Sequence, residues 1–175
     1  MLQELTKEIN KTAREAVNNA HTSIPGKILS IDPGTGRAAV QPYGKYVTSD
    51  NIKLDYPVLT DVPLVLPFSQ ASGCGIAFPI QPGDDCLVIF SEIGLDAWMS
   101  GAESEALLRF DLSSAVAIPG LIKESGSLIS QANENHAVVI SGNLIVTGNI
   151  TAGGINLNTH VHTSGEAGSS TSGPR

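Results

Sequence analysis

Residues 138–155 repeat with a period of six. They read Val138-Val-Ile-Ser-Gly-Asn143, Leu144-Ile-Val-Thr-Gly-Asn149 and Ile150-Thr-Ala-Gly-Gly-Ile155. Position one is Val, Leu and Ile, position three is Ile, Val and Ala, and position five is Gly142, Gly148 and Gly154. A fixed short period marks stacked repeats, here a β-helix. Strand alternation puts positions one and three on one face, toward the axis. Glycine at position five lets the backbone turn its corner with φ above zero. The shrinkage of position three to Ala152 suits a tapering shaft. A plain β-meander is the alternative, with Ser-Gly-Asn and Thr-Gly-Asn as hairpin turns.

Three repeats are close to the minimum for a stack that holds itself together. A single chain of this length buries little. Three chains wound together would each give an apolar face to a shared axis, so the repeat predicts a homotrimer. Burial at about 25 cal/mol per Å² then goes into contacts between chains. Folding of this segment becomes inseparable from assembly.

Beyond the repeat the chain reads NTHVHTSGEAGSSTSGPR. His160 and His162 are two apart on an extended segment, so both rings leave the same face. That spacing lets two imidazoles serve one metal, although His-x-His alone is weak evidence. A threefold axis changes its meaning, because three chains then bring six imidazole nitrogens to one point. Six equivalent nitrogens favour an octahedral ion, and imidazole suits iron among others. Zinc prefers four ligands and fits less well. Such a saturated ion is structural. The small residues from Thr163 onward either form a disordered tail or fold back as a cap over the metal.

The rest of the chain is of another kind. Residues 1–22 carry Leu2, Leu5, Ile9, Ala13, Ala16 and Ala20 at three- and four-residue steps, which predicts a helix. Its narrow stripe needs a partner surface, either its own domain or another subunit. Residues 23–122 read as five or six short strands. Ile28 to Ile31 lead into Asp-Pro-Gly, and Ala38 to Val40 follow. Val58 to Thr60, Val62 to Leu66, Gly75 to Pro79 and Cys86 to Phe90 continue the series. Strands at this spacing suit a small closed barrel of the OB type. Asp84 and Asp85 follow Pro-Gly and read as turn residues rather than a catalytic carboxylate pair. Residues 123–137 are polar and read as a connector, with His136 a surface histidine like His21.

Composition narrows the function. Of 175 residues, 41% are hydrophobic, which disfavours wholesale disorder, while 5% are aromatic and 18 are Gly. The net charge of −7 disfavours nucleic acid and attraction to anionic lipid, since both need Lys/Arg clusters. Cys74 and Cys86 form no CxxC pair, and buried free thiols are preferred over a disulfide. The charged start reads as no signal peptide, and no apolar run nears the ~20 residues of a membrane helix. The expectation is a soluble chain made in the host cytoplasm.

Three stretches carry a resemblance. They are PIQPGDDCLVIFSEIGLDAWMSGA (79–102), similar to a strand that ends in an Asp-Ala-Trp element, here Asp96-Ala97-Trp98; RFDLSSAVAIPG (109–120); and NTHVHTSGEAGSSTSGP (158–174). The chain resembles the central spike proteins of contractile-tailed phage baseplates, the baseplate assembly protein V type, in the branch with an OB domain and a short β-helix. That family often has His where Phe110 stands here. The resemblance implies iron, one ion per trimer, held octahedrally by His160 and His162 of each chain. It implies a virion protein at the tip of the tail baseplate, with a tail hub or other baseplate proteins as partners. It also implies piercing of the host outer membrane when the sheath contracts.

The expected architecture is therefore mainly β: an N-terminal helix (1–22), an OB-fold domain (23–122), a connector (123–137), an intertwined trimeric β-helix (138–157) and a metal-binding apex (158–175). No catalysis is expected. A hexapeptide-repeat acyltransferase is a rival reading, but it would need a longer coil with histidine between coils. A receptor-binding tail adhesin is another, and it would carry a larger, more aromatic distal domain.

Overall fold

The computed structural model describes residues 2–18, 22–48, 50–103, 111–124 and 126–161. The chain forms two units, Met1–Lys123 and Glu124–Arg175.

The first unit opens with helix α1, Leu2–Asn18. It follows the expected apolar spacing, and residues 19–21 lie outside the described residues. The side chains of residues 3–13 are exposed, Leu5 and Ile9 among them. Strands β1 (Ser23–Asp32) and β2 (Arg37–Pro42) form an antiparallel hairpin. Its turn is built by Asp32, whose carboxylate accepts from the Thr35 hydroxyl at 2.8 Å and the Gly34 amide at 2.9 Å. These donors hold the Asp32 carboxyl below its ordinary range, Thr35 most strongly. The register slips between Ile28 and Ser30, so β1 carries a bulge at Leu29.

Strands β3 (Lys45–Val47) and β4 (Lys53–Asp55) make a separate exposed hairpin. Strand β5 (Leu59–Pro63) pairs with β2. Strands β6 (Phe68–Ser69) and β7 (Cys74–Gly75) are a two-residue pair. Strand β8 (Asp85–Phe90) pairs with β1. Helix α2 (Leu95–Ser100) and a 3-10 turn (Leu112–Ser114) precede β9 (Ala115–Pro119), which pairs with β8. The main sheet has the order β5-β2-β1-β8-β9. It curls into a half-barrel, and its two edges approach where Leu64 bridges Ala117.

One face of that sheet makes the core. In β2 and β8 every second residue is buried: Ala38, Val40 and Pro42, then Cys86, Val88 and Phe90. Ile28, Leu59, Val62, Ile80, Ala115 and Ala117 complete the cluster. Gly26 sits where β1 crosses it, and an added Cβ would lie 2.8 Å from Val40 Cγ1 and 3.0 Å from Val88 Cγ2. Glycine there lets the neighbouring strands' side chains close over β1. Phe90 is 3% exposed and fills the middle of this packing. Phe90→Ala is expected to cost about 3–5 kcal/mol of the first unit's stability, as lost transfer energy plus a cavity. Urea unfolding of the full chain, followed by Trp98 fluorescence and circular dichroism, measures that loss.

Several sequence expectations are corrected. The two patterns at 58–60 and 62–66 are one strand, β5, because the chain turns off at Leu64 to reach β9. The run 75–79 contributes only Cys74–Gly75 to a strand. Asp96-Ala97-Trp98 does not end a strand. Strand β8 stops at Phe90, and these residues lie on α2, closed by left-handed Gly101.

In the second unit the expected connector contains helix α3, Leu128–Asn135. The β-helix expected over 138–157 is represented in a single chain by one short hairpin, β10 (Thr151–Ala152) with β11 (Ile155–Asn156). Among the described residues, 138–149 form no strand and no backbone-to-backbone hydrogen bond.

Candidate functional site

The hairpin of β10 and β11 turns through Gly153 and Gly154, both with positive φ (56° and 83°). A side chain is strained in that conformation, so the tight turn calls for glycine. The Leu157 amide donates to the Ile150 carbonyl at 2.8 Å, which extends the hairpin by one bond. The chain then folds into a compact turn. The Asn158 amide nitrogen of the backbone donates to Asn156 Oδ1 at 2.9 Å, and the His160 backbone amide donates to the Asn156 carbonyl at 2.9 Å. Asn158 Nδ2 donates to Asn149 Oδ1 at 2.7 Å and ties this turn to the end of the second repeat.

His160 is half-buried, and its Nδ1 lies 2.7 Å from the Leu157 carbonyl oxygen. A carbonyl can only accept, so Nδ1 carries a hydrogen. A backbone carbonyl on one ring nitrogen is the usual orienting partner of an imidazole that ligates a metal through the other. The donor chemistry therefore fits a metal. His162 lies outside the described residues. Among the described residues of one chain, no three His, Cys, Asp or Glu side chains converge on a common point. One chain supplies only part of a coordination sphere.

The other candidates go elsewhere. His21 lies outside the described residues. His136 is exposed, adopts left-handed φ of 47° and closes the C-terminus of α3, its amide directed at Asn133. Asp84 closes the Pro-Gly turn by accepting from the Gln81 amide at 2.8 Å. Asp85 points to lysines instead, with Lys123 Nζ at 2.8 Å and Lys27 Nζ at 3.7 Å. The hydrogen bond from Lys123 leads the causes that lower the Asp85 carboxyl, and the same pair raises Lys123. The two neighbouring carboxylates thus serve separate structural tasks. Both cysteines are free thiols: Cys86 is buried as expected and Cys74 is exposed, against expectation. Burial pushes the Cys86 thiol up to about 11, so it stays protonated and unreactive at neutral pH.

The repeat has the least ordinary surface. Val138 (91% exposed) and Ile145 (87%) stand open to solvent, with Ile140, Leu144, Val146 and Val161 also exposed. From Asn135 to Gly165 the sequence contains no Asp, Glu, Lys or Arg. A lone soluble chain rarely presents so continuous an apolar surface without charges to keep it in solution.

A curled β domain is thus followed by an uncharged repeat whose apolar side chains one chain leaves exposed. Residues 24–120 match the family described as phage protein Gp138 N-terminal domain, and this is more than half of the chain. The chain belongs to that family, which makes it a phage protein of the tail or baseplate type. No curated protein matches it.

Proposed function

We propose that this chain is the central spike of a contractile phage tail baseplate, a homotrimeric needle that pierces the host outer membrane on sheath contraction. In this reading residues 24–120 form an OB-type collar facing the tail hub. The repeat winds with two other copies into a β-helix, and His160 and His162 of three chains hold one iron ion at the tip. The role is mechanical, with no reaction catalysed.

The observation that carries the reading is the uncharged stretch from Asn135 to Gly165, with its apolar side chains exposed in one chain. Other copies of the same sequence answer both needs of this segment. They cover the apolar positions, and they pair the backbone groups that a lone chain leaves to water. The phage family supplies the setting. The net charge of −7 keeps such a trimer soluble and leaves penetration to force rather than to attraction for anionic lipid.

Sedimentation or light scattering of the full chain tests this directly. The expected particle has three times the 18.2 kDa of one chain, with close to one iron per particle by elemental analysis. A single or paired chain at working concentration overturns the proposal.

A further inference from the structure

We infer that helix α1 of one copy docks into a groove on the first unit of the next copy, an assignment that deepens the proposed trimer and rests on it for the number of copies. The groove has a volume of about 610 Å³. It lies on the outer face of the main sheet, where Lys27 and Leu29 of β1 stand opposite to the buried Ile28. Tyr43, Leu121 and Ile122 complete its apolar lining. One chain leaves that lining open to water, with Tyr43 76% and Ile122 57% exposed. On the rim Lys27 and Lys123 share the carboxylate of Asp85, at 3.7 and 2.8 Å. Two cations to one anion leave the rim net positive.

The helix has the complementary surface. Leu5 and Ile9 are four residues apart, so they stand on one face. Glu4 and Glu8 precede them by one residue each, which sets an acidic row about 100° to one side. Thr6 and Asn10 flank the other side without charge. An apolar pair with an acidic edge matches an apolar groove with a basic rim in both shape and sign. The apolar contact holds the helix, and the exposed ion pairs, worth little alone, choose its direction. In one chain residues 3–13 of α1 are all exposed, so the helix does not lie in its own groove. A helix of 17 residues is marginal in water without a covering surface. A threefold ring supplies one. Such a ring joins unlike patches head to tail, so each copy gives its helix to one neighbour and receives the helix of the other. Leu121 to Lys123 also end the first unit, so the contact continues in sequence the interface proposed for the repeat.

The experiment uses the full chain with Cys74→Ser, which leaves only the buried thiol of Cys86. Ile122→Cys then puts a thiol in the groove. A maleimide should label it slowly, and about tenfold faster once Leu5→Ser and Ile9→Ser are added. All these positions are exposed in one chain and none belongs to the core. Equal labelling rates overturn the inference. A second measurement identifies the occupant. Ile9→Cys and Ile122→Cys are placed in separate chains, one carrying a mass tag, and the two are co-expressed and oxidised. Bonded pairs of mixed mass are expected. Pairs of two Ile9→Cys chains would mean that the helices bundle with one another, and overturn it. In a chain carrying both substitutions, a bond closed within that chain overturns it as well. Sedimentation of the unaltered chain separates this contact from the trimer. A trimer whose groove thiol labels equally fast with and without Leu5 and Ile9 keeps its repeat interface and loses this contact. Mixed pairs formed in a particle of two chains keep the contact and end the trimer.

Discussion

Replacing Leu144 and Ile150 with Asp is expected to turn the proposed trimer into single chains at micromolar concentration, while the first unit stays folded. Both residues occupy position one of the repeat, on the face assigned to the axis. In one chain Leu144 is 62% exposed and Ile150 is 39% exposed, and neither belongs to the core of the first unit. In the proposed trimer each substitution appears three times. Every new carboxylate would lose its water at a cost of several kcal/mol. Two carboxylates about 6 Å apart at an effective dielectric constant of about 20 repel by roughly 3 kcal/mol, and each ring of three contains three such pairs. These terms exceed 5 kcal/mol together, more than a thousandfold in association. Thr147→Asp, at position four of the same repeat, faces away from the axis and should change the association little.

The measurement is sedimentation velocity over a range of concentrations, with circular dichroism to check that the β domain persists. The described core of that domain is built on residues of the first unit, Ile28, Val40, Val88 and Phe90 among them. If the Leu144/Ile150 variant sediments like the unaltered chain, the apolar positions of the repeat are not what joins the copies.

How much of this was legible in the sequence depends on whether the signal is local. Strands β2 and β8 were readable because alternate residues enter one core, giving Ala38, Val40 and then Cys86, Val88 and Phe90. The hairpin of β3 and β4 escaped notice because all six of its residues are exposed, so no alternation marks it. Helix α2 was read as the end of a strand, since six residues barely exceed one helical turn and Trp98, 70% exposed, suits either state. Helix α3 hid in a polar connector for the same reason of length. At the candidate site the histidines were visible as a pattern, and His160 directs Nδ1 at the Leu157 carbonyl. The Asn149–Asn158 bond was not visible, because nothing in residue spacing says that a turn after β11 will fold back on the repeat. The repeat itself was plain in the sequence, and among the described residues one chain pairs only its last part, Thr151–Ala152 with Ile155–Asn156. The groups that would pair with residues 138–149 belong, on the proposed reading, to other copies.

The double substitution His160→Ala/His162→Ala is expected to abolish the proposed metal binding, from close to one ion per three chains to none. A saturated structural site is worth on the order of 10 kcal/mol or more of apparent binding energy, on the scale of structural zinc sites. Replacing both histidines removes all six nitrogens at once, and the residues around them offer hydroxyls and amides, poor ligands for such an ion. His160→Ala alone would leave three nitrogens and a weakened, exchangeable site. Because an ion bound only by the assembled tip stabilises that tip by mass action, its loss should appear there first. Limited proteolysis should cut the double variant faster beyond Asn149 than it cuts the unaltered chain. Thermal unfolding of the β domain should stay within a degree or two, since its core contains neither histidine. Elemental analysis of the purified variant decides the matter. Unchanged metal content would mean that the ion sits elsewhere, and that the His-Val-His spacing is incidental to how the tip is closed.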